Sequence, residues 1–224
     1  MSATEMSMKP RASAPSKAAG GRRRMLILGA AVVVVLAAMA LDTTVVRIGS
    51  EQDARVAGFD PDSFGTKEFP RVRDYVTGKA PEAAELAQAL AADKKAALAK
   101  YGNGTAEAMP TLPVRLTGTL GEGKAGIYDI AVEGVPDVRI RVQTGPAING
   151  TDLRDVPGDI AFGQFKNQIE YQNAGAGLNR AMKAAVLDGL DSASLSGRQI
   201  TLAGAFKLIN PKMWLITPVE VDVK

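Results

Sequence analysis

Amide-bearing and other polar side chains are concentrated between residues 164 and 179: Gln164, Asn167, Gln168, Glu170, Tyr171, Gln172, Asn173 and Asn179. Amides present paired donors and acceptors, which suit sugar hydroxyls or a peptide backbone. The same groups can instead cap a helix and satisfy loop amides at a strand-to-helix junction, and we favour this structural interpretation. The candidate ligand-binding residues in this segment are Gln164, Asn167, Gln168, Glu170, Tyr171 and Asn179.

Two further candidate binding residues lie outside this segment. Arg154 stands in a loop that contains two glycines and a proline, and its planar fork is suited to a carboxylate or a phosphate. The alternative is an ion pair with Asp152 or Asp155 inside a structured crossover loop. Trp214, the only tryptophan, could stack on a sugar ring, but its position in a predicted strand favours packing.

Several kinds of chemistry are excluded because the chain contains neither cysteine nor histidine. Disulfides, thiol nucleophiles, Cys/His zinc sites and Ser-His-Asp triads all require one or both of these residues. The carboxylates of Asp129, Glu133 and Asp137 lie near predicted turns, and their spacing does not indicate acid–base catalysis. We therefore predict that the protein is not an enzyme and that it uses no cofactor and no metal.

An apolar segment near the N-terminus determines where the rest of the chain resides. Arg22 to Arg24 precede seventeen uncharged residues, 25–41, which would span roughly 25 Å as a helix. We predict a single-pass inner-membrane anchor with the tail in the cytoplasm and the C-terminal part in the periplasm. The alternative is a cleaved signal peptide, since Ala38-Met39-Ala40 resembles a cleavage site. Cleavage after Ala40 stays open at this point.

The positive charge of the chain belongs to its N-terminal tail. Residues 1–24 carry six basic residues against Glu5, a net charge of +5, and the whole chain is +3. The remaining residues are therefore slightly acidic, at −2, and no nucleic-acid partner is expected. The composition of residues 1–24 predicts a disordered basic cytoplasmic tail.

A helical region is predicted between the anchor and the first strand, within residues 42–110. Asp60-Pro61 marks a helix start, and Pro70 should break or kink that helix. A second helix is expected after Ala80-Pro81, and Asp93 should cap a third. We assign residues 42–110 to a lead-out and a helical segment, which packs on the following domain or acts as a stalk; a helix that binds a partner is a further alternative.

Alternating hydrophobicity begins at Leu112 and predicts strands over 112–120, 125–133 and 138–143. A short fourth segment is expected at 159–165, followed by a helix with Leu178, Met182, Ala185, Val186 and Leu190 on one face. Two strands, 199–208 and 214–223, close the chain. The order predicts an α+β protein whose residues 111–224 form an OB-like five-stranded β-barrel with one helix between strands 3 and 4. A β-sandwich is the alternative.

Three segments resemble a known family. They are Val142–Asp155 (VQTGPAINGTDLRD), Phe162–Tyr171 (FGQFKNQIEY) with Leu178-Asn179, and Trp214–Val219 (WLITPV). Over residues 30 to 224 the chain is similar to the predicted periplasmic lipoproteins of domain-of-unknown-function family 2291. The resemblance implies a bacterial envelope protein with an OB-like domain, encoded beside sugar transport systems of the ABC type. It implies no activity. The lipid-bearing cysteine is missing near residues 39–42, so the apolar helix must provide the anchor.

Two hypotheses about function follow. The first is a membrane-anchored periplasmic accessory or adaptor protein with a sugar ABC transporter component as partner and the lipid bilayer contacted through residues 25–41. The second is a periplasmic OB-like module that binds a small molecule or oligosaccharide on an open sheet face.

Overall fold

The computed structural model describes residues 18–42, 58–103, 109–190 and 194–224, with side chains of the first helix described from Arg24 onward. The helices are α1 (Ala18–Asp42), α2 (Pro61–Lys79), α3 (Ala83–Ala92), α4 (Lys94–Tyr101), α5 (Asp152–Asp155) and α6 (Gln168–Met182). The strands are β1 (Thr111–Lys124), β2 (Ile127–Val132), β3 (Arg139–Gln143), β4 (Gln199–Lys207) and β5 (Met213–Val223). A compact unit extends from Gly58 to Lys224.

Helix α1 contains the predicted anchor. Its segment Arg24–Asp42 has 19 residues and a mean hydropathy of 2.5, and its side chains are exposed. By length and composition this segment can cross a membrane. The helix begins at Ala18, so residues 18–24, which were predicted to be disordered, are helical; adding residues to an existing helix is easier than nucleating one. The rest of the predicted tail, 1–17, and the lead-out 43–57 lie outside the described residues.

The five strands pair in a closed ring in the order β1-β2-β3-β5-β4 and form a barrel. All pairs are antiparallel except β3 and β5, which are parallel. Strand β1 pairs with β4 along its first nine residues and with β2 further on, so it must bend. The bend falls at Gly118, where a Cβ atom would overlap the backbone of Ala131 on β2. The prediction of an OB-like barrel is confirmed.

The barrel interior and two of the preceding helices share one hydrophobic core. Strand residues such as Leu116, Ile140 and Trp214 are fully buried in the same cluster as Leu86 and Leu90 of α3. Their burial by the barrel explains why α3 and α4 are stable despite a thin apolar stripe. These helices therefore pack on the barrel within the unit that begins at Gly58. Of the interpretations of the helical region, the structure has packing rather than a stalk.

A second hydrophobic core lies on the outer face of β4 and β5. Ala203 and Ala205 of β4 point outward and meet apolar residues of α2, of α6 and of the loop around α5. Their small side chains leave room for two helices on the sheet. Helices α2 and α6 cross closely because Gly65 and Gly177 carry no side chain at the contact, where a Cβ atom on Gly177 would overlap the carbonyl oxygen of Pro61.

Three local predictions differ from the structure: a break at Pro70, a strand at 159–165 and a regular helix after Met182. Helix α2 continues through Pro70, which sits on its exposed side, where water can replace the missing backbone hydrogen bond. The segment 159–165 forms a 3₁₀ turn at Phe162–Gln164 and no strand. After Met182 the chain forms a π-helical segment, Lys183–Leu187, whose wider turn buries Leu187 and exposes Ala185.

The close helix crossing gives a direct test. Gly177→Ala should destabilise the protein by about 1–3 kcal/mol, because the added methyl group meets backbone that cannot move aside. Gly78→Ala in α2 is the matched control: its Cβ would lie in open space, so the better helix propensity of alanine should stabilise by up to ~1 kcal/mol. Denaturant unfolding of the detergent-solubilised chain measures both. Equal effects of the two substitutions would contradict the proposed close contact.

Candidate functional site

A buried polar network holds the loop between β3 and α5. The side-chain amide of Gln143 accepts from the backbone N–H of Asn149 at 3.0 Å and donates to the carbonyl oxygen of Asn149 at 3.0 Å. The same amide nitrogen lies 2.9 Å from the hydroxyl of Thr217 on β5. Gln143 and Thr217 are both fully buried. One side chain therefore ties strand β3 to the loop and to strand β5.

Asp152 is the next member of this buried network. The hydroxyl of Thr217 donates to Oδ2 of Asp152 at 3.1 Å, and Asp152 is 8% exposed. Burial raises the pKa of this carboxyl to about 6, while the bond from Thr217 and the charge of Lys207 act in the opposite direction. The position of Asp152 in the fold thus favours the uncharged form of its carboxyl.

Arg154 is held by partners within the protein. Its guanidinium donates to Oδ1 of Asp155 at 2.8 Å and to the carbonyl oxygen of Tyr171 at 3.0 Å, and it lies 3.6 Å above the Tyr171 ring. Asp155 also accepts from Thr151 at 2.6 Å and from Lys207 at 3.1 Å. Since Arg154 is only 7% exposed, its fork binds the loop to α6 and has no open approach for an external anion.

The predicted amide cluster divides into separate structural roles. The side chain of Asn167 caps α6 by accepting from the N–H of Glu170 at 2.9 Å, and Glu170 accepts from the N–H of Lys166 at 2.9 Å. This reciprocal pair resembles a capping box. Gln164 donates to the carbonyl oxygen of Asp159 at 2.8 Å. These contacts satisfy backbone groups at the loop-to-helix junction.

The remaining cluster residues point in different directions. Asn179 is buried and donates to the carbonyl oxygen of Gly150 at 2.9 Å, whereas Gln168, Gln172 and Asn173 are exposed on α6. The structure brings Arg154 and Tyr171 into contact, but it does not gather the amides around one cavity. Their geometry fits the structural interpretation, in which they anchor the loop 144–167 and the start of α6.

Trp214 lies inside the barrel, where its ring stacks on Phe206 at a centroid distance of 4.6 Å. Its indole N–H donates to the carbonyl oxygen of Pro211 at 3.0 Å, and the side chain has no exposed surface. A sugar cannot reach this ring in the folded barrel. The packing interpretation of Trp214 is the one that the geometry fits.

Sequence reasoning missed the central members of the buried network, Gln143, Thr217 and Lys207. Arg139, Arg141 and Gln143 alternate with apolar residues along β3, which predicts that Gln143 lies on the polar face, opposite Val142. In the structure both Gln143 and Val142 are buried. The outer side of this strand end is covered by the loop that follows it, and strand periodicity carries no information about such a cover.

An open groove of about 750 Å³ lies between α3 and two turns of the barrel. Its apolar part includes Leu90, Val135 and Val138, and its charged residues are Glu85, Asp137 and Lys212. Hydrogen bonds from Tyr101 and Lys100 lower the pKa of Glu85, which keeps this rim position ionised. The volume falls in the range of ligand sites in proteins. None of the candidate binding residues from the sequence lines this groove.

Comparisons with known proteins agree with the sequence resemblance. The family model described as "Predicted periplasmic lipoprotein (DUF2291)" matches residues 30–222. A crystal structure of an OB-fold protein from Thermotoga maritima has a TM-score of 0.62 to this chain at 17% identity, covering 75% of this chain and 99% of the other. At that identity the likeness concerns the fold alone. No curated protein matches.

The burial of Asp152 predicts a pH-dependent stability. Its carboxyl has a pKa of 3.8 when unperturbed and about 6 in the fold, so the folded state favours the protonated form. This contribution to stability is fully present below about pH 4 and is lost as the pH rises through about 6. Asp152→Asn keeps an acceptor for Thr217 and removes the charge. The stability of the variant relative to the parent should therefore rise by up to about 3 kcal/mol between pH 4 and pH 7.

Asp129→Asn is the control. The hydrogen bonds from Arg139 lower the pKa of Asp129 below 3.8, so its small contribution is present throughout pH 4–7 and is lost only on further acidification; the stability of this variant relative to the parent should change little over that range. Unfolding of both variants and the parent at pH 4, 5, 6 and 7 checks the prediction. A difference between Asp152→Asn and the parent that does not change with pH would contradict it.

Proposed function

The chain belongs to the DUF2291 family of predicted periplasmic lipoproteins, and from that membership we propose that it is a non-enzymatic accessory protein of the bacterial envelope. In this proposal a single helix anchors it in the inner membrane and the OB-fold unit lies in the periplasm. The unit acts as an adaptor for a membrane complex, with a sugar transport system of the ABC type as the partner that the family resemblance indicates.

The anchor follows from the composition of α1. A lipoprotein is held by lipid on a cysteine, and this chain has no cysteine. Segment Arg24–Asp42 is apolar enough to take over that role. Each arginine of Arg22 to Arg24 would cost ~2.5–3.5 kcal/mol at the bilayer centre, which supports a cytoplasmic tail and a periplasmic C-terminal unit.

The groove is the observation that carries the adaptor role. It is open to solvent and combines apolar walls with separated charges at Glu85, Asp137 and Lys212, a mixture typical of surfaces that bind protein segments. The adjoining β4–β5 hairpin exposes Ile209 and Met213, at 72% and 42%. The chain has neither histidine nor cysteine, and the buried polar network is occupied with holding loops, which supports a role in binding rather than catalysis.

A pull-down with a blocked groove tests the adaptor role. Ala91→Arg places a large cation in the groove, whereas Ala92→Arg makes the same change at the next exposed position of α3, outside the groove. We expect the tagged parent and Ala92→Arg to recover a sugar-transporter component from detergent-solubilised membranes, and Ala91→Arg to lose most of it. Recovery of no envelope component by the parent, or equal recovery by both variants, would count against the proposal.

Binding of a small molecule or oligosaccharide is the second candidate function, because the same groove has the volume of a ligand site. Its lining residues include no aromatic ring for sugar stacking, so we rank this function second. A ligand at 100 times its Kd should stabilise the protein by about 2.7 kcal/mol in a thermal-shift screen. That shift should disappear in Ala91→Arg and persist in Ala92→Arg. A flat screen across mono- and oligosaccharides would leave the adaptor role as the better explanation.

A further inference from the structure

Four of the six phenylalanines lie close together in space, near the point where the chain enters the compact unit. Phe59 and Phe64 have ring centroids 5.2 Å apart, and Phe165 lies 5.2 Å from Phe59 and 5.7 Å from Phe64. Tyr171 continues the group, at 5.4 Å from Phe165 and 5.7 Å from Phe162. We call these five rings the aromatic patch. They are drawn from the chain that enters the unit, from the first turn of α2, from the 3₁₀ turn and from α6.

The aromatic patch is partly exposed. Phe162 is 50% exposed and the other four rings are half-buried, whereas Phe69 and Phe206 elsewhere in the unit are buried. A single exposed ring is ordinary, but neighbouring aromatic rings that share an exposed surface indicate contact with another apolar phase. The Arg154 guanidinium stacks on the Tyr171 ring, which holds that ring in place and makes the patch more rigid.

The charges around the aromatic patch are largely neutralised within the protein. Asp60 caps α2, accepting from Ser63 and from the N–H of Asp62, and Asp62 in turn pairs with Arg180 at 2.6 Å. Arg71 pairs with Asp159 at 2.7 Å. These partners offset the charges of Asp62 and Asp159 among the described residues near the rings, which lowers the electrostatic cost of contact with a lipid surface.

The position of the aromatic patch in the chain indicates which surface it contacts. Helix α1 ends at Asp42 and Phe59 belongs to the patch, so sixteen residues separate the apolar helix from these rings. A chain of that length reaches at most about 60 Å. A bilayer that holds α1 is therefore tethered within that reach of Phe59. Such tethering raises the effective concentration of lipid at the patch, which favours even a weak contact.

We propose that the aromatic patch rests on the outer surface of the membrane that holds α1, with Phe162 inserted at the level of the lipid headgroups. Proteins that lie on membranes bury apolar Phe rings at the boundary between headgroups and acyl chains, and Tyr is enriched there because its ring is amphipathic. The contact orients the OB-fold unit relative to the bilayer. This inference rests on the proposed membrane anchor and names a second, peripheral contact of the same protein with lipid.

The absence of native cysteine allows a single reporter to be placed on the full-length chain. Gly163→Cys lies next to Phe162 in the 3₁₀ turn, and a Cβ atom at this position meets nothing within 4 Å. Gly189→Cys is the matched control, since it is equally open and follows the far end of α6. Each variant carries an environment-sensitive fluorophore and is reconstituted into phosphatidylcholine vesicles with or without headgroup-quencher lipid.

We expect the label at Gly163 to shift to the blue and to lose at least half of its emission to the lipid quencher, and the label at Gly189 to change little. Adding Phe162→Gln to Gly163→Cys should remove most of the quenching, whereas Ile209→Gln, at another exposed apolar side chain, should leave it unchanged. Because the contact is apolar, vesicles with anionic lipid or high salt should give a similar result.

The outcomes separate this inference from the anchor. Chain that is removed from vesicles by alkaline washing would overturn the anchor itself. Chain that resists washing but shows equal quenching at Gly163 and Gly189 would overturn the peripheral contact alone. A blue shift at Gly163 without lipid quenching, growing with the ratio of protein to lipid, would assign the aromatic patch to a second copy of the chain and would likewise overturn the proposal.

Discussion

The requirement that buried polar groups be hydrogen-bonded is met most tightly at Gln143, and the arrangement around it organises the rest of the unit. Its amide substitutes for a strand partner by pairing with both backbone groups of Asn149, and it reaches Thr217 on β5 at the same time. An apolar residue here would leave the loop amides without partners in a region closed to water. With the loop held in this way, Asp152 contacts Thr217 and Arg154 contacts α6. The position of the loop therefore determines where the second hydrophobic core begins.

Strands β4 and β5 carry apolar surface on both faces, which is unusual for an antiparallel pair with one solvated side. Inside, Leu202 and Trp214 fill the barrel; outside, Ala203 and Ala205 meet the helices. The small outward side chains let helices lie close to the sheet, and the glycines at the α2–α6 crossing let these two helices lie close to each other. The helices before the barrel are consequently part of its fold, although they precede its first strand by many residues.

This arrangement separates the parts of the molecule that maintain structure from those open to partners. The polar residues with the richest chemistry, Asp152 and Arg154 among them, are turned inward and bonded to one another. The groove beside α3 and the aromatic patch remain accessible, and their lining is apolar with separated charges. In the function proposed above, a membrane-associated module acts through such binding surfaces. Its two surfaces lie on different elements, so one can contact lipid while the other is engaged by a partner.

The sequence alone determined the apolar helix, the caps of Asp60 and Asp93, the succession of five strands with a helix between the third and fourth, and the OB-like barrel, because these follow from composition, local hydrogen bonds and periodicity along the chain. Most of the candidate site could not be predicted in this way. Only the tertiary structure decided that Gln143 is buried, that Trp214 faces the barrel interior and that Asn179 of α6 bonds to the loop. The physical reason is that these outcomes depend on which other segment covers a residue, as the loop after β3 covers Gln143 and the barrel encloses Trp214, and local sequence does not encode that cover.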